Sequence, residues 1–173
     1  MKSQEQYEEE ELIEDFIDLL LDILDIDEPI ITCKPKSFFA TETMNACCNI
    51  ATDEIFIKDT ISLADLLLCL AHEMRHIWQQ THKPQFQKEY KFRTKEGTID
   101  DYNMQEAEID AHAFSSILVE RFIGAKPTFD GVGERVCKKI EEHIRILEKE
   151  LPTAEEMSAL LEKIKEFYKS GEL

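Results

Sequence analysis

His72, Glu73 and His76 are spaced as H-E-x-x-H, and the motif continues directly into Ile77-Trp78-Gln79-Gln80. On a helix, side chains four apart stack on one face, one turn above the other. Two imidazoles so placed reach one Zn²⁺, each at about 2.0–2.1 Å. Glu73 points sideways from the pair, where it can take a proton from a zinc-activated water instead of ligating. The chemistry implied is metal-dependent hydrolysis, and the expected enzyme is a peptidase.

A catalytic zinc takes three protein ligands and keeps one position open. Candidates for the third lie in Gln105-Glu106-Ala107-Glu108-Ile109-Asp110-Ala111-His112-Ala113-Phe114. Glu106 and Glu108 are two apart and project roughly 200° from each other on a helix, so only one can face the metal. Glu108 borders a face with Ala107, Ala111, Phe114, Ser115 and Leu118, whose small members allow a close helix approach. Glu106 pairs at i,i+4 with Asp110, which would supply a ligand together with an acceptor for a ligating histidine. The residues alone leave both open. His112, one turn after Glu108, could stabilise an oxyanion or ligate in place of a glutamate. Tyr90 and Tyr102 are further donors for a tetrahedral intermediate. Trp78 and Phe114 read as core.

The elements that position these residues follow from apolar spacing. Leu12, Ile13, Phe16, Ile17, Leu20, Ile23 and Leu24 predict a helix over 7–26, frayed at its start and closed by Pro29. Short β-branched and aromatic runs predict strands at 30–33, 37–41, 46–50 and 54–58. Their connections are too short for crossovers, so the sheet is expected to be mostly antiparallel. Ser62 can cap a helix reaching about Thr81, ended by His82-Lys83-Pro84. On its wheel Leu63, Leu66, Leu70, Met74 and Ile77 form one stripe, with His72 and His76 nearly opposite. The polar stretch 85–101 reads as a loop with irregular strand. A second long helix is expected over 103–123, stopped by Gly124 and Pro127. Gly131 and Gly133 mark the next break. Helices over 134–150 and 153–169 complete the chain, divided by Pro152.

No repeat or linker interrupts the 173 residues, so a single domain is expected. It divides into an N-terminal helix (1–28), a metal-site core (30–123) and C-terminal helices (126–173). The fold class expected is α+β, a small sheet packed with the H-E-x-x-H helix and further helices. A formal net charge of −17 would repel a nucleic-acid backbone, so nucleic acid is not an expected partner. The apolar runs are too short and too charged for a membrane span. The first residues lack the basic segment and cleavage site of a secretory signal, and the expected address is the cytoplasm. Cys33, Cys47, Cys48, Cys69 and Cys137 contain no C-x-x-C pair and are expected to be reduced. Half of the vicinal pair Cys47-Cys48 is expected in the core, a metal site there being the alternative.

His72 to Trp78, with Glu108-x-x-Ala111-x-x-Phe114-Ser115 downstream, resembles the ImmA/IrrE-type zinc metallopeptidases. Those show an H-E-x-x-H helix and then E-x-x-A-x-x-F-A on a following helix. The resemblance covers roughly 33–123 and leaves out the first helix and the last two. It implies a zincin-like fold, His72, His76 and Glu108 as Zn²⁺ ligands, and Glu73 as general base. It also implies a phage or mobile-element setting, and a protein or peptide substrate such as a repressor-like regulator. The strand 54–58 looks like the zincin edge strand that holds an extended substrate. Arg75 departs from the glycine usual at that position and is expected to add bulk and charge beside the site. Ser115 stands where alanine is usual. The alternative reading is a non-proteolytic zinc-fold protein that docks a partner protein.

Overall fold

Ser3 starts the chain's first helix, α1 (Gln4–Leu24), with a reciprocal cap: its hydroxyl accepts from Gln6 N, and the Gln6 side chain accepts from Ser3 N. The computed structural model describes residues 3–89, 91, 98–129 and 132–170. The cap replaces the expected fraying and moves the helix start back from Tyr7. α1 ends at Asp25, which takes a left-handed φ of 51° before Pro29 is reached.

Three strands follow: β1 (Ile30–Lys34), β2 (Ala46–Asn49) and β3 (Glu54–Lys58), in the order β1-β3-β2. β2 and β3 form an antiparallel hairpin with Cys48 opposite Ile55. β1 pairs parallel to β3, with Ile30 opposite Glu54 and Lys34 opposite Lys58. The sheet is therefore mixed, not mostly antiparallel. A parallel pair needs a connection of about a dozen residues or more, and the segment 35–53 supplies it by carrying β2 inside it. The expected strand over 37–41 does not form. Pro35 precedes a 3₁₀ turn over Lys36–Phe38 instead, and Phe38 packs on Phe56 at 5.1 Å. β3 also lies in the middle of the sheet, so it is not the edge strand; the outer edges belong to β1 and β2.

α2 (Leu63–His82) starts where Ser62 Oγ accepts from Asp65 N at 3.2 Å. Ser62→Ala is expected to cost about 1 kcal/mol of stability, read as a lower denaturation midpoint at unchanged slope. The stretch expected to be irregular carries two short helices, α3 (Pro84–Glu89) and α4 (Ile99–Asn103). Tyr90 and the Gly131 break lie outside the described residues. α5 (Glu106–Ile123) stops at Gly124, whose φ of 70° suits a residue with no Cβ. Then come α6 (Glu134–Leu147) and α7 (Ala154–Ser170).

One apolar cluster joins these elements, from Phe16 and Leu20 of α1 through Ile55 and Ile57 of β3 and Met74 of α2 to Phe114, Ile140 and Met157. The fold is mixed α and β, helices around a small sheet. α2 and α5 sit at its centre and pack on each other more extensively than any other pair. The lower half of α2 is covered on several sides, because Glu73, Arg75, His76 and Gln79 are buried along with its apolar stripe. Among the described residues no helix is long and apolar enough to cross a membrane.

Candidate metal centre

The α2–α5 contact brings His72, His76 and Glu108 together. His72 Nε2 lies 3.1 Å from His76 Nε2, and each is 3.3 Å from a different Glu108 oxygen. A tetrahedral zinc with bonds of about 2.0–2.1 Å separates its ligand atoms by about 3.3 Å. The three donors are thus spaced as ligands of one small metal ion. Glu108 is 1% exposed, whereas Glu106 faces solvent. A carboxylate buried so deeply needs partners, and the two imidazoles provide them. Donor atoms of His72, Glu108 and His112 also lie within 4.8 Å of one another, a second grouping that could hold a metal ion. The shorter separations make His72, His76 and Glu108 the tighter set.

Electrostatics in the metal-free chain follow from the same proximity. Burial alone would lower the His76 pKa, but the Glu108 charge and its hydrogen bond raise it from 6.5 to about 9. Burial would raise Glu108; the imidazoles of His76 and His72 override it and hold that carboxyl well below its usual range. His112 is pushed down to about 3, first by burial and then by the His72 charge. A raised histidine stabilises the fold below its unfolded pKa near 6.5 and stops doing so as pH passes about 9. The chelator-treated protein is therefore expected to melt at higher temperature at pH 6 than at pH 9.5. Glu108→Gln should flatten that slope, as thermal unfolding at the two pH values would show. A metal ion bound there must displace the His76 proton, so metal uptake at pH 7 should release acid.

A polar network fixes the donors. His76 Nδ1 is 2.9 Å from Gln79 Oε1, while Gln79 Nε2 donates to Ala107 O at 3.0 Å and Asp110 Oδ2 at 2.8 Å. Those two acceptors decide which way the Gln79 amide points. Its oxygen then faces His76 Nδ1–H, leaving Nε2 to face Glu108. Asp110 also accepts from Arg75 Nε at 2.7 Å and Nη2 at 3.2 Å, and pairs with His143 Nε2 at 3.0 Å. Burial would raise its carboxyl, yet His143 and Arg75 hold it well below the usual range. The Arg75 guanidinium lies 3.7 Å from the Trp78 ring centre and 4.8 Å from that of Phe114. Arg75 thus does not crowd the site with charge, as expected from sequence; it turns into the α2–α5 interface. Phe114 is fully buried, while Trp78 is partly buried and stacks on His82.

Glu73 is 8% exposed on α2, on the side of the sheet. Cys48 of β2 shares the face of Ile55 and lies beside the Glu73 carboxylate. Burial, reinforced by the Glu73 charge, raises Cys47 to about 11 and Cys69 to about 12, and raises Cys48 well above 9. Held as thiols, these groups are poor ligands and poor nucleophiles. All five cysteines are free. Tyr102 is half-buried on α4.

Gln79, His143 and Cys48 entered the site without a sequence argument. Gln79 had a usable signal, since it sits one turn beyond His76 on the same helix face. His143 and Cys48 had none, because strand order and the docking of α6 bring them in. Comparison with protein families, with curated proteins and with solved structures finds no match to this chain.

Proposed function

We propose that this protein is a zinc-dependent metallopeptidase with a zincin-like fold, of the kind its motif resembles, the ImmA/IrrE-type enzymes. The observation that carries the reading is the triangle of His72, His76 and Glu108 at 3.1 to 3.3 Å, with Glu73 beside it on the same helix. Two imidazoles and one carboxylate suit zinc better than the oxygen-seeking Mg²⁺ or Ca²⁺. When bound, zinc would polarise the scissile carbonyl and acidify a water.

The chain's own residues do the rest. Glu73 takes one proton from the attacking water as the water oxygen bonds to the peptide carbon. It returns that proton to the amine as the C–N bond breaks. The Cys48 thiol lies beside that carboxylate. Because β3 is central, the strand available to an extended peptide beside Glu73 is the outer edge of β2, over Ala46–Asn49. The net charge of −17 favours a substrate with a basic segment, and a repressor-like regulator fits that description. Five thiols without a disulfide agree with a cytoplasmic setting.

The test is direct. Tag-free protein is loaded with zinc, its metal content is measured, and it is incubated with a diverse peptide library. One zinc per chain and cleavage that stops on chelation and returns with zinc are expected. Zinc binding without any cleavage would favour the docking protein instead, and no zinc uptake would end both readings.

A further inference from the structure

We propose that His112 is a fourth protein donor to the metal at His72, His76 and Glu108, and that a substrate group must displace it to reach the metal. The proposal concerns regulation of the site put forward above and rests on that reading. Glu108 and His112 are one turn apart on α5, as His72 and His76 are on α2. Two i,i+4 donor pairs therefore face each other across the most extensive helix contact among the described residues.

Donor atoms of His112, His72 and Glu108 lie within 4.8 Å of one another. A tetrahedral edge is about 3.3 Å, so the imidazole's separations from the His72 and Glu108 donors need to shorten by at most about 1.5 Å each, a side-chain adjustment. The ring is already held for it. It lies 4.5 Å from the His72 ring and meets Phe129 edge-on at 5.7 Å. The hydroxyls of Ser115 and Ser116 donate to the His112 carbonyl, away from the ring. No described residue makes a hydrogen bond to its ring nitrogens, and the half-buried ring leaves them open to a metal.

Zinc affinity by competition with a chromophoric chelator, and Co²⁺ absorption with added acetohydroxamate, test the proposal without a substrate. His112→Ala should weaken zinc binding by about 10- to 100-fold. Its Co²⁺ spectrum should shift at hydroxamate concentrations that leave the wild-type spectrum unchanged. His112→Asn is the second variant should the alanine fail to fold, with circular dichroism as the check. Equal affinity and equal hydroxamate response in wild type and variant would overturn the proposal while leaving the metal site intact. His72→Ala separates the two cases: if wild type binds zinc no better than His72→Ala, the metal centre itself falls, and this inference with it.

Discussion

Glu73→Gln is expected to keep zinc bound at wild-type affinity and to lower peptide hydrolysis by about 10²- to 10⁴-fold, the usual worth of a general base. Glutamine keeps the shape of the side chain. It cannot take a proton. The triangle of His72, His76 and Glu108 does not include Glu73, so the metal should not notice the change. Single-turnover cleavage of a peptide found in the library screen, alongside metal analysis of the same preparation, checks both halves. A variant that cleaves as wild type removes Glu73 from the chemistry. One that loses zinc would make Glu73 a ligand.

The second large effect is on stability. Asp110 is 3% exposed and Arg75 5%, and they share two hydrogen bonds. Asp110→Ala leaves a buried guanidinium without its carboxylate, which typically costs about 3–5 kcal/mol. For a chain of this size that is a fall in Tm of about 6–20 °C. Gln79 loses the carboxylate among the two acceptors that set its amide, so zinc affinity should drop as well, by about 10- to 100-fold. Replacing both partners by apolar residues, Arg75→Met with Asp110→Leu, should recover much of the lost stability. It should recover little of the zinc affinity, because the Gln79 amide would still lack that carboxylate. Thermal unfolding and chelator competition on the single and double variants read the two effects separately. An Asp110→Ala protein as stable as wild type would show the pair to be without structural weight.

What sequence reading reaches here is what a single helix decides. The spacing of His72, Glu73 and His76 fixes which share a face before any tertiary contact exists. The 200° between Glu106 and Glu108 likewise forces a choice, and burial of Glu108 with exposure of Glu106 makes it. The rest depends on partners far along the chain. Arg75 looked like a charge beside the site because nothing local says that Asp110, 35 residues on, will accept it. The run around Phe38-Phe39 has strand composition, yet Pro35 and the packing of Phe38 on Phe56 turn it. Short connections predict antiparallel neighbours, whereas β3 inserts between β1 and β2 and runs parallel to β1. That insertion alone moves the outer edge of the sheet, and with it the edge proposed for a substrate, from 54–58 to 46–49.

The strand order also dictates a sequence of events during folding. β2 and β3 can meet through the short turn between them. There Asn49 accepts from both Ala51 N and Thr52 N, and Asp53 takes a positive φ of 50°. β1 must wait for a partner 24 residues downstream in register. The hairpin should therefore be formed in the transition state and β1 should dock late. Substitutions in β2 or its turn would then slow folding, and those in β1 would chiefly speed unfolding. The strand that places Cys48 against Glu73 thus belongs to the part of the sheet that forms first.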